Sequence, residues 1–86
     1  MFTANDIQQR VRMRPFRPLR IVTSASETFD VFHPDMILIG SREITVGLPG
    51  SANPTHYEQL ARVAIMHVTA LHDLPMPVPP AGNGQT

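Results

Sequence analysis

The spacing of apolar residues changes period along the chain, and each period predicts its own kind of element. Ala4, Ile7 and Val11 fall on one face at helical spacing, Thr3 stands where an N-cap belongs, and Asp6 lies in the first turn. Arg14 precedes Pro15, whose ring forces the residue before it toward extended geometry, so this helix spans about 3–13. From Leu19 the period drops to two. Leu19, Ile21 and Thr23 alternate with Arg20, Val22 and Ser24, predicting a strand over 19–23, and the polar residues 24–26 form a tight connection. Thr28, Asp30 and Phe32 alternate with Phe29 and Val31 in a second strand, which His33, Pro34 and Asp35 stop.

Residues 36–39 read as a short, wholly apolar strand, followed by a turn at Gly40, Ser41 and Arg42. Ile44, Val46 and Leu48 alternate with Glu43, Thr45 and Gly47, the pattern of a half-buried strand, and residues 49–54 have loop composition. The segment 55–74 supports two readings. As a helix it carries a stripe through Tyr57, Leu60, Ala61, Ala64, Ile65, Val68 and Leu71, with Thr55 and Glu58 as a capping box. As strands, Tyr57, Gln59, Ala61 and Val63 form one element and residues 68–72 another, joined by a turn through 64–67. Periodicity favours the helix. Strands are preferred here because four preceding strands would otherwise leave long open edges. The segments 36–39 and 63–68 are the expected core, with Phe16, Phe29 and Phe32 joining it or supplying an interface.

Composition adds limits. Eighty-six residues make one small domain, taken as 1–74, with a proline-rich flexible tail over 75–86 of polyproline II character. There are no cysteines, which removes disulfides and thiolate metal sites and fits a reducing, cytoplasmic setting. The first residues lack the basic and apolar regions of a signal peptide, and no apolar run is long enough to span a bilayer, so no membrane association is expected. Formal net charge is zero, whereas dedicated nucleic-acid binders are usually basic. All the basic residues are arginine, which favours fixed bidentate contacts over mobile point charges.

Three short motifs carry a resemblance. Residues Pro15, Phe16, Arg17, Pro18, Leu19, Arg20 and Ile21 form a Pro-Phe-x-Pro approach to the first strand. His33, Pro34 and Asp35 form a corner, and His67, Val68, Thr69, Ala70 and Leu71 begin a last strand. Over about residues 4–74 the chain resembles a group of short uncharacterised bacterial proteins with an N-terminal helix and these same features. The resemblance implies a mainly β fold: a small SH3-like or Sm-like barrel of about five or six antiparallel strands. It implies no activity, substrate or catalytic residue. The chain departs from the group in its longer loop at 50–55 and in residues 57–60, so the late strand boundaries are the least determined.

Five of the seven basic residues, Arg10, Arg12, Arg14, Arg17 and Arg20, fall within eleven positions. With Phe16 among them, Arg10, Arg14, Arg17 and Arg20 could hold phosphates while the ring stacks a base. The competing reading, which we favour, is that the arginines pair with Asp6, Asp30, Asp35 or Glu43 on solvated faces. Phe16 then fastens helix to barrel, with Pro15 and Pro18 shaping the hinge. His33, Pro34 and Asp35 read as a structural corner, because a metal needs three or four convergent ligands and His56, His67 and His72 are scattered. No nucleophile elbow, phosphate loop or paired catalytic carboxylates occur. A PxxP pattern at 77–80 would suit an SH3 or WW domain. The sequence therefore predicts a non-catalytic binding or structural subunit, without cofactor or metal, whose partner is a protein or itself. RNA or single-stranded DNA is the alternative partner.

Overall fold

A computed structural model describes residues 1–50 and 56–75. The predicted loop centre and the tail with its PxxP pattern lie outside the described residues. The fold is mainly β: a helix α1 (Ala4–Arg12) precedes strands β1 (Leu19–Thr23), β2 (Thr28–Val31), β3 (Ile37–Ile39), β4 (Glu43–Pro49), β5 (Tyr57–Ala64) and β6 (Val68–Asp73). Single 3-10 turns, Pro34–Met36 and Ile65–His67, separate β2 from β3 and β5 from β6.

The strands form two antiparallel sheets of three, ordered β2-β1-β6 and β3-β4-β5. Among the described residues, no closed hydrogen-bonded barrel joins them. Residues 57–64 and 68–73 are two strands, because alternate residues find a buried face: Val63 and Val68 are buried, while Leu60 and Arg62 stand out in solvent.

Each sheet buries one face, and every strand and both 3-10 turns contribute to one shared core. Leu19 and Ile21 of β1 meet Val31 of β2, Ile37 of β3, Ile44 and Val46 of β4, and Val63 and Val68 of β5 and β6. The helix closes the core with Ile7 and Val11. Its start is a capping box, in which Thr3 Oγ1 accepts from the Asp6 amide at 3.1 Å and Asp6 Oδ2 accepts from the Thr3 amide at 2.9 Å. The helix ends at Arg12, one residue before the expected limit, and the Arg14–Pro15 peptide bond is cis.

Within the expected core segments, Leu38 and Met66 are 73% and 68% exposed, and His67 is exposed as well. Phe32, expected in the core or at an interface, is 48% exposed. Leu38 sits between Ile37 and Ile39, so the two-residue period of a strand turns it outward. Met66 is the middle of the 3-10 turn whose neighbours Ile65 and Val68 point inward, and Phe32 lies beyond the end of β2. Phe16 and Phe29 do pack against the core, partly buried.

The β1–β2 hairpin turns through Ser26, whose φ of 64° is left-handed. Buried Thr23 organises that turn: its amide donates to Glu27 O at 2.9 Å and its hydroxyl accepts from the Glu27 amide at 3.2 Å. A residue with a Cβ strains at this φ, and glycine does not. Ser26→Gly should therefore raise the unfolding free energy by about 0.5 kcal/mol and Ser26→Val lower it by about 1 kcal/mol, read by urea denaturation.

Candidate interaction surface

The arginine run is divided among internal partners. Arg10 lies on the helix with its side chain only 13% exposed. Its Nε donates to Asp73 Oδ1 at 3.0 Å, and its Nη2 bonds the same carboxylate and the Pro18 carbonyl. The Leu74 amide donates to that same carbonyl at 2.9 Å, and Pro18 is buried. Arg10 thus clasps the helix to the end of the last strand, 63 residues away. Its Nη1 is buried with no hydrogen-bond partner among the described residues.

Arg14 Nη1 donates to the carbonyls of Val11 and Met13, each at 3.0 Å, satisfying acceptors that the helix end leaves open. Arg20 on β1 forms a two-pronged pair with Asp30 on β2, at 2.7 and 3.0 Å, across a direct register position. Those hydrogen bonds hold the Asp30 carboxyl below the usual carboxylate range, opposed by partial burial and aided by the guanidinium charge. Arg12 meets the Gln8 amide once that amide is oriented to suit its neighbours. Arg17 is exposed and has no hydrogen bond or ion pair among the described residues. Phe16 beside it is partly buried against the core, and Pro15 is exposed.

His33 precedes the first 3-10 turn with extended backbone and no side-chain cap, Pro34 opens the turn, and Asp35 is exposed within it. His67 and His72 are exposed. No group of three or more potential metal ligands occurs among the described residues. Ser24 Oγ and His67 Nδ1 stand 3.4 Å apart on an exposed rim, brought together because the Ser24 amide donates to His67 O at 2.8 Å.

That rim borders a groove of about 540 Å³, which runs between the hairpin tip at 23–27 and β5, with Phe29 and Leu48 among its lining. The groove exists because β5 has no neighbour beyond β4 among the described residues. Hydrogen bonds show which way its backbone faces. The Gly40 amide donates to Glu43 O and the Ile65 amide to Arg42 O, both in register with the strand pairs. In an antiparallel ladder these directions alternate. Gln59, Ala61 and Val63 therefore face β4, while Leu60, Arg62 and Ala64 present their N–H and C=O groups to the open edge. Pro49 fits the same alternation, since its missing donor falls on the side away from β5.

The side chains of that edge lie on the outer face of the sheet. Leu60 is 66% exposed and pairs in register with Gly47. The Tyr57 ring covers Gly47 so closely that a Cβ there would come within 2.7 Å of it. Arg62 pairs with Glu43 through two guanidinium nitrogens. The strand reading of 57–63 left Leu60 out of the buried alternation but assigned it no surface. The available signal was that Leu60 is out of step with Gln59, Ala61 and Val63.

No family model matches the chain, and no curated protein or solved structure matches it.

Two outcomes follow from the ion pairs. Asp73→Ala leaves a nearly buried guanidinium without its acceptor and should cost about 1–2 kcal/mol in chemical denaturation, limited by the exposure of Asp73 itself. The Asp30 contribution is complete above the ordinary carboxylate pKa of about 3.9 and is lost as pH falls through the depressed value. Asp30→Asn should therefore flatten the acid limb of the stability curve below pH of about 4 while leaving its neutral slope unchanged.

Proposed function

We propose that the chain is a non-catalytic structural or protein-binding subunit that associates with itself, built on an SH3-like or Sm-like frame and working in the cytoplasm. Reading β2 and β3 as one strand broken at Pro34–Met36 supports that frame. The two sheets then join as one bent sheet ordered β6-β1-β2/β3-β4-β5, with a helix before it. One observation carries the function: β5 offers an edge that is unpaired among the described residues, beside exposed Leu60 and Tyr57. Unpaired edges and clustered apolar side chains are surfaces that proteins ordinarily cover. The arginine run, by contrast, is largely spent on Asp73, Asp30 and the end of the helix. The absence of cysteine fits a reducing compartment.

A second reading, binding of RNA or single-stranded DNA, is favoured by exposed Arg17 beside Phe16. It predicts affinity that falls steeply with salt and is lost in Arg12→Ala/Arg17→Ala, whose fold stays intact. The self-association reading predicts a mass above that of one chain in sedimentation at tens of micromolar protein. Its pull-down should recover the same proteins with and without nuclease. A strictly monomeric chain whose partners all vanish on nuclease treatment would contradict it.

A further inference from the structure

We propose that β5 is the surface of a two-fold dimer, pairing antiparallel with β5 of a second copy so that Leu60 lies opposite Leu60 of that copy. This rests on the self-association reading and specifies its surface, register and stoichiometry.

The backbone supplies the first argument. Leu60, Arg62 and Ala64 turn three N–H and three C=O groups to an edge with no neighbour among the described residues. Sheet edges are commonly guarded by lysine, proline or a bulge. Residues 59–64 contain neither lysine nor proline, and the bulge in the β4–β5 pairing lies before them, at the Leu48/Pro49 step. The other outer strands, β2, β3 and β6, are shorter, at four, three and six residues. The last residue of β6 is also held by Arg10.

Charge and shape supply the second argument, because they choose the partner and the register. A second copy brings the same strand, so an antiparallel pair must read against itself about one central residue. Centring on Arg62 sets two guanidinium groups directly opposite each other, which is unfavourable. Centring on Leu60 sets the exposed leucines together and brings Arg62 of each copy toward exposed Glu58 of the other, at the bulge that ends the regular pairing. Opposite charges then meet on both sides of an apolar centre. The groove beside β5 leaves room for the incoming strand, and the result is a continuous six-stranded sheet made from two copies of β3-β4-β5.

Sedimentation and single-cysteine cross-linking of the full chain test this directly, since the chain has no cysteine of its own. Wild type should have the mass of two chains. Leu60→Lys should have the mass of one at the same concentration, with an unchanged far-UV spectrum. Leu38→Lys, on the same outer face but remote from the edge, should remain a dimer. Under oxidation Leu60→Cys should cross-link, because directly opposite residues stand about 5.5 Å apart between Cα atoms. Arg62→Cys should not, as its two copies would be roughly 13 Å apart.

A dimer that survives Leu60→Lys, a mass above two chains, or equal cross-linking at both positions overturns the proposal and leaves self-association standing. A wild-type chain that stays monomeric overturns both. Should Leu60→Lys fail to fold, the cross-linking pair decides alone.

Discussion

Two small sheets can share one core only if the chain joining them turns sharply, as it does at Pro34–Met36 and again at Ile65–His67. The first turn carries the chain from β2 into β3, and the second returns it from β5 to β6. Both sheets then direct alternate residues into the same interior. With 86 residues and no cysteine, no covalent staple can substitute for that interior. This explains why each strand contributes at least one buried aliphatic residue and why α1 covers the core with Ile7 and Val11. The clasp from Arg10 to Asp73 holds that cover against β6, linking the two ends of the described chain.

The same constraint generates the exposed features. The outer strands of the two sheets are β2 and β6, and β3 and β5, and each has one side without a strand among the described residues. β6 is six residues long and tied down at Asp73. β5 is eight residues long and unguarded over most of its length. The chain's charge does not compensate, because its arginines act as internal fasteners. Arg10 joins helix to strand, Arg14 completes the helix end, and Arg20 links β1 to β2.

Much of the local structure was legible in the sequence because it depends on neighbours a few residues away. The Thr3 cap, the helix stop before Pro15, the strand at Leu19–Thr23 and the turn after Ile39 follow from local sterics and period. What escaped depended on distant partners. The outward orientation of Leu38 follows from its register against Thr45, and that of Leu60 from Gly47. Likewise Arg10 finds Asp73 only after the whole domain has folded, so no local pattern could separate it from Arg17, which finds no partner among the described residues. The choice of strands over a helix at 57–73 rested on edges, and the fold keeps that logic while moving the open edge to β5.

Amide hydrogen exchange across a range of protein concentrations tests the central claim most directly. Ala61 and Val63 donate toward β4 and should exchange slowly at every concentration. Leu60 and Arg62 donate toward the open edge and should exchange quickly when dilute, then slow progressively as concentration rises and a second β5 covers them. Rates at Leu60 and Arg62 that do not change with concentration would contradict the account.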